Sequence, residues 1–263
     1  MSLFYQLTSL SARRQVTYRA ATLAGLATNF FFGLLRAAVM VALYGARQQV
    51  SGMSLQDAIT YTGLAQAMIA FLALFNWAEI IYSVQNGQVG ADLLKPMSYF
   101  KFWMAQDLGR ALVGLVFRGL PIMVFYALVF HITIPELPGD WLFLAASLIL
   151  AWMISFAYRF VVNLAAFWVQ DAIGFARLFF ALSWFLSGFI MPLRLMPDWF
   201  TKICYLTPFP YMINTVVEIY LGLLSSGEIL QVLLAQAIWV VILVAIGRWV
   251  LSLGVRRLVI QGG

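Results

Sequence analysis

Charge is what this chain has least of. Asp, Glu, Lys and Arg make up 10% of its 263 residues, against roughly 25% in an average soluble domain, and that shortage excludes an ordinary water-soluble globular protein. There is one cysteine, Cys204, so no intrachain disulfide can form. There is one histidine, His131, so no Cys/His zinc cluster can be assembled. No GxxxxGK[ST] phosphate loop is present, which removes ATP hydrolysis by that route. HExxH and GxSxG are absent too, and with them the common hydrolase motifs. No TVGYG-like filter argues for a potassium channel, and no internal repeat supports an inverted-repeat transporter.

What is present is apolar surface. Hydrophobic residues make up 63% of the chain, with nine Trp, 11 Tyr and 22 Phe, and the mean hydropathy is +0.92. Those values belong to a polytopic membrane protein. At about 20 residues per crossing of the ~30 Å hydrocarbon core, the length leaves room for roughly six spans and no large soluble domain. The net charge of +6 comes from basic residues scattered between apolar runs, which reads as membrane topology and not as a nucleic-acid patch.

The pattern predicts an all-α polytopic fold in one transmembrane domain covering 1–263. Residues 1–20 carry Leu3, Phe4, Leu7 and Leu10 at helical spacing, followed by Arg13, Arg14 and Arg19, as in a helix lying on the cytoplasmic interface. The apolar stretch behind it is too long for the h-region of a cleaved signal peptide. Spans are expected at 22–44, 58–82, 110–130, 141–169, 175–191 and 229–253. Pro192, Pro197, Pro208 and Pro210 break the apolar region 192–227, so it is expected to form short helices dipping into the outer interface. With the N-terminus inside, Arg13, Arg14, Arg19, Lys95, Lys101, Arg110, Arg177, Arg256 and Arg257 fall on the cytoplasmic side, against Arg47, Arg194 and Lys202 outside. Both termini are then cytoplasmic.

Arg36, Glu79, Arg118, Arg159 and Arg248 fall within or near the expected spans, where a charge at the bilayer centre costs at least ~2.5–3.5 kcal/mol. One reading is snorkelling, with a structural ion pair from Glu79 to Arg118 or Arg159. Another has some of these arginines lining an inward-facing cavity and meeting an anionic or zwitterionic headgroup. A proton relay would need a run of intramembrane acids that the chain lacks. Arg36, in the outer half of its span, is the hardest to explain by snorkelling inward.

Two stretches carry a resemblance that spans essentially the whole chain. The first is Asn86-Gly-Gln-Val-Gly-Ala-Asp-Leu-Leu-Lys-Pro-Met-Ser. The second is Leu186-Ser-Gly-Phe-Ile-Met-Pro-Leu, followed by Met196-Pro-Asp-Trp-Phe, Thr207-Pro-Phe-Pro-Tyr and Ile219-Tyr-Leu-Gly. In this order they resemble the permease subunit of type-2 ATP-binding-cassette (ABC) transporters, in a branch whose permeases occur in pairs. The resemblance implies half of a translocation pathway, exporting an amphipathic, hydrophobic or lipid-like compound from a bacterial inner membrane. It implies two copies of a cytoplasmic ABC ATPase that bind the ATP and Mg, a second permease chain that is a different chain in preference to a second copy, and membrane lipid around the whole. No cofactor, metal, catalytic residue or nucleic acid is expected for this chain.

By the same resemblance, residues 93–108 would be the coupling helix seated on the ATPase. Leu93, Leu94, Met97, Phe100 and Met104 would form its apolar face, and Pro96 would start it. Phe179, Phe180, Trp184 and Phe185 would line the path. Pro192, Pro208, Phe209, Pro210 and Glu218 would belong to an extracellular gate. The bland alternatives are an interfacial loop for the first, lipid-facing or core aromatics for the second, and packed short helices for the third. His131 and Cys204 read as loop residues without a role. Other readings of the whole chain are a glycan or glycolipid exporter permease, a secondary transporter without an ATPase, and a structural subunit.

Overall fold

The structure, a computed structural model, describes residues 2–17, 19–75, 77–135 and 138–257, and the side chains of residues 19 and 21 lie outside that description with the tail from 258. The topological assignment of Arg19 and the end of the tail at Gly263 therefore fall outside the described residues. The chain is helical almost throughout. α1 (Leu3–Thr17) leads to α2 (Arg19–Tyr44), and a two-residue hairpin, Gln49–Val50 with Met53–Ser54, precedes α3 (Leu55–Leu72). Then come α4 (Glu79–Gln85), α5 (Val89–Leu93), α6 (Tyr99–Gly114) and α7 (Leu120–Val129). A π-helical turn at Leu115–Gly119 joins the last two into one rod. α8 (Pro138–Asn163) ends in a 3-10 turn. α9 (Ala172–Leu186), α10 (Asp198–Tyr205), α11 (Asn214–Tyr220) and α12 (Ser226–Val255) complete the chain.

Among the described residues, four helices are long and apolar enough to cross a membrane: Thr22–Tyr44, Tyr99–Val129, Pro138–Phe167 and Ser226–Val255. Their outward faces carry exposed Phe31, Leu128, Leu142 and Val241, apolar groups that lipid would cover. The other two expected spans are shorter. The segment expected at 175–191 is a 15-residue helix, α9. The one expected at 58–82 is not continuous: α3 stops at Leu72, Ala73 turns left-handed with φ 50, and helix resumes at Glu79.

That break is stabilised by other elements. Helix ends leave carbonyls without intrahelical donors, and a freed carbonyl inside a membrane protein needs a partner. Here Arg110 donates to the carbonyls of Ala70 (2.5 Å) and Phe71 (3.1 Å), and the Ser155 hydroxyl donates to that of Leu72 (2.8 Å). Trp184 Nε1 donates to Leu74 (2.8 Å) and Asn163 Nδ2 to Trp77 (2.9 Å). Side chains from three helices thus compensate the interruption. α3 begins on a capping box, in which Ser54 Oγ accepts from Asp57 N and Asp57 Oδ2 from Ser54 N. Close helix contact follows from small residues: a Cβ at Gly114 would lie 2.8 Å from the Ala70 carbonyl oxygen, so α6 meets α3 backbone to backbone.

Candidate functional site

The expected coupling helix at 93–108 does not form as one element. α5 ends at Leu93, residues 94–98 are a loop, and Tyr99 opens the long rod, so Pro96 lies in the loop and starts no helix. The side chains divide accordingly. Leu94 is 87% exposed at the tip and Pro96 is exposed with it, while Leu93 and Met97 are half-buried. Phe100 is only 8% exposed, because its ring packs on Phe156 (5.2 Å) and Phe160 (5.0 Å), and Met104 is half-buried against the same cluster. The apolar face expected at 93, 94, 97, 100 and 104 is therefore an exposed tip and a packed base. The tip is held in shape: Ser83 Oγ donates to Asp92 (2.7 Å), Lys95 Nζ pairs with Asp92 (2.6 Å), and the same ammonium sits 3.6 Å from the Phe102 ring.

Beneath this base lies a cluster centred on Asp107, which the sequence placed near the end of the expected coupling helix without a role of its own. Asp107 is fully buried and its carboxylate accepts four bonds at 2.9 Å: two from Arg159, one from Arg110 Nε and one from Trp152 Nε1. Arg159 is thus paired with Asp107 and not with Glu79. Among the described residues Glu79 makes no ion pair; it opens onto a cavity of about 310 Å3 that Arg14 and Arg110 also line. The available signal was the spacing of Asp107 and Arg110 on one helix face, i to i+3.

The region 192–227 does form short helices, α10 and α11, and its expected gate residues are buried. Pro192, Pro208, Phe209 and Pro210 all pack inward, Phe209 edge-on against Tyr158 at 5.0 Å. Glu218, 4% exposed, pairs with Arg194 at 2.6 Å. The organiser is Asn214, a residue that the sequence analysis did not single out. Its Oδ1 accepts from Tyr61 Oη and Leu193 N (both 3.0 Å), its Nδ2 donates to Tyr205 Oη (3.0 Å), and its backbone N donates to Ser187 O (3.1 Å). The single Tyr61 O–H is shared between Asn214 Oδ1 and Gly188 O, 2.9 Å away, at a left-handed turn (φ 79) that glycine adopts freely. Burial raises the Glu218 carboxyl above its ordinary value, and Arg194 offsets part of that rise. Cys204 is buried on α10 and not in a loop.

The four aromatics expected along the path do not share a face. Phe180 points into the bundle, Phe179 and Trp184 are half-buried, and Phe185 is exposed. A helix turns through 100° per residue, so neighbours such as 179 and 180 diverge. None of them lines the large cavity of about 670 Å3, which opens between α2, α3 and the α6–α7 rod. Arg36, Arg110 and Arg118 do line it, with Asn29, Gln66 and Phe75. Arg118 packs against Gly25, leaving no room for a Cβ there, and Arg36 donates to the carbonyls of Phe189 and Ile190 and lies 4.6 Å from the Phe189 ring.

These elements, in this order, are matched by a family model: that of the ABC-2 family transporter protein covers residues 30–262. The chain belongs to that family. It is an ABC-2 type permease subunit and a multi-pass membrane protein, a translocation component of a kind that generally carries no catalysis of its own. Membrane subunits of the ABC-2 family work with cytoplasmic ATPase components. No curated protein and no solved structure matches the chain.

Proposed function

We propose that this ABC-2 permease subunit forms half of an export pathway in a bacterial inner membrane, with both termini in the cytoplasm, and moves an amphipathic, hydrophobic or lipid-like compound outward. Two copies of a cytoplasmic ATPase, binding ATP and Mg, supply the energy, and a second, different permease chain completes the path. The observation that carries the reading is the segment 86–98: a large apolar side chain, Leu94, is displayed at the tip of the loop after α5, braced by Asp92, Lys95 and Ser83 above an aromatic base. An exposed apolar knob on a rigid base suits insertion into a protein groove. Tight packing beneath it would pass the groove's movement to the rod that begins at Tyr99.

Affinity purification of the tagged chain from native membranes in mild detergent tests this. An ATPase recovered at about equal abundance with a second permease chain is the expected result; recovery of this chain alone, with transport that collapses when the proton gradient is dissipated, would replace it with secondary transport. Leu94→Asp is expected to abolish ATPase association while leaving the melting temperature unchanged, because the side chain has little packing to lose. Normal association in that variant would remove the loop from the coupling role. Phe100→Asp is unsuited to the purpose, since it would place a charge in the aromatic base.

A further inference from the structure

The cavity between α2, α3 and the α6–α7 rod is cationic and incompletely satisfied. No Asp or Glu is among its lining residues. Of its three arginines, Arg110 is committed to Asp107 and to the carbonyls of the α3 break. Arg36 and Arg118 make no ion pair among the described residues, and Nε and Nη1 of Arg36 and Nε of Arg118 are buried without a hydrogen-bond partner. Two more orphaned polar atoms belong to residues that line the same space: Nδ2 of Asn29, which is 7% exposed, and Oε1 of Gln66, which is 2% exposed. Buried donors without acceptors are rare, and a group of them around one cavity calls for an occupant.

We infer that this cavity binds an anionic amphiphile, a molecule with a phosphate or carboxylate group on an apolar body. The anion would take the guanidinium of Arg118 together with the Asn29 amide, about one turn from Gly25 along α2, Gln66 Oε1 would accept from a hydroxyl beside it, and Arg36, farther along, would take a second polar group of the ligand. Phe32 and Phe75 supply apolar wall for the body. A volume of about 670 Å3 lies within the range of sites for drug-sized ligands. Arg36 and Gly25, against which Arg118 packs, are 11 positions apart on α2, roughly 16 Å along its axis, so the cationic groups are spread along the cavity and suit an elongated ligand. That the bound molecule is the transported one rests on the permease reading above; the binding does not.

The test uses the full-length chain in phosphatidylcholine nanodiscs without ATPase, so its outcome is independent of whether an ATPase partner exists. Pyrene-labelled dodecanoic acid is titrated and read by energy transfer from tryptophan, with dodecyl phosphate and methyl dodecanoate as competitors. The acid and the phosphate ester are expected to bind at least about tenfold more tightly than the methyl ester, the scale of a charge-assisted hydrogen bond. Arg118→Gln should weaken the acid by about the same factor, and Arg256→Gln, at an exposed arginine, should not. Displacement by added phosphatidylglycerol would make a bilayer headgroup the source of the anion, and no displacement a separate solute. Equal binding of acid and methyl ester by the wild-type chain would overturn the inference whether or not the arginine variant folds, as would unchanged affinity in a folded Arg118→Gln variant.

Discussion

Two polar knots hold opposite ends of α3, and they are built on different chemistry. At the Tyr61 end the centre is a neutral amide, Asn214, bonded to two tyrosines and two backbone groups, with the only charges, Arg194 and Glu218, toward a rim where the arginine side chain is one-third exposed. At the Leu72 end the centre is a carboxylate, Asp107, saturated by Arg159, Arg110 and Trp152. The difference follows from what each must satisfy. The Asn214 knot fixes loops whose backbone groups are mostly paired already. The Asp107 knot sits under a helix break, and an arginine can donate to a carboxylate and two carbonyls at once, which no amide can do. Holding that arginine in the interior then requires a buried anion.

If this contrast is right, the largest loss comes from removing the anion. Asp107→Ala leaves the buried Arg159 guanidinium and the half-buried Arg110 beside it without their anion and is expected to cost about 3–5 kcal/mol, read as thermal unfolding in detergent; a smaller loss than at Asn214 would reverse the ranking. Asn214→Ala leaves the Leu193 N–H without its acceptor and the Tyr205 hydroxyl without its amide donor and should cost about 1–3 kcal/mol, with the α3 break left intact. A test of that last clause is hydrogen exchange at residues 73–78, expected to rise in Asp107→Ala and stay unchanged in Asn214→Ala.

The smallest effect is at the rim. Glu218 has its carboxyl raised above the ordinary value of 4.5, burial outweighing Arg194. A raised folded-state value means that its contribution to stability is complete below that ordinary value and is lost as pH rises through the shifted one. Glu218→Gln should therefore flatten the dependence of stability on pH above 4.5, with a shift of under about 1 kcal/mol because Arg194 is partly exposed. An unchanged slope would mean that ionisation of Glu218 is already matched by its surroundings.

The sequence alone fixed where apolar runs begin and end, because lipid-facing helices need length and low charge. The start of α12 was legible in the capping-box pattern from Ser225 to Glu228, and the short helices after Pro192 in the prolines themselves, which cannot continue a helix. Membership of a permease family was legible from the order of these features. The break at 73–78 was not, since no proline or glycine marks it. It exists because Arg110, Ser155, Trp184 and Asn163, distant in sequence, converge on its carbonyls. Likewise the residue types of 93–104 suggested one amphipathic face, but which of them stay exposed depended on where Phe156 and Phe160 of α8 lie. Periodicity records the local preference of a helix for one environment over another. The partner of a buried charge, the filling of a cavity and the interruption of a helix are set by groups that only the folded chain brings together.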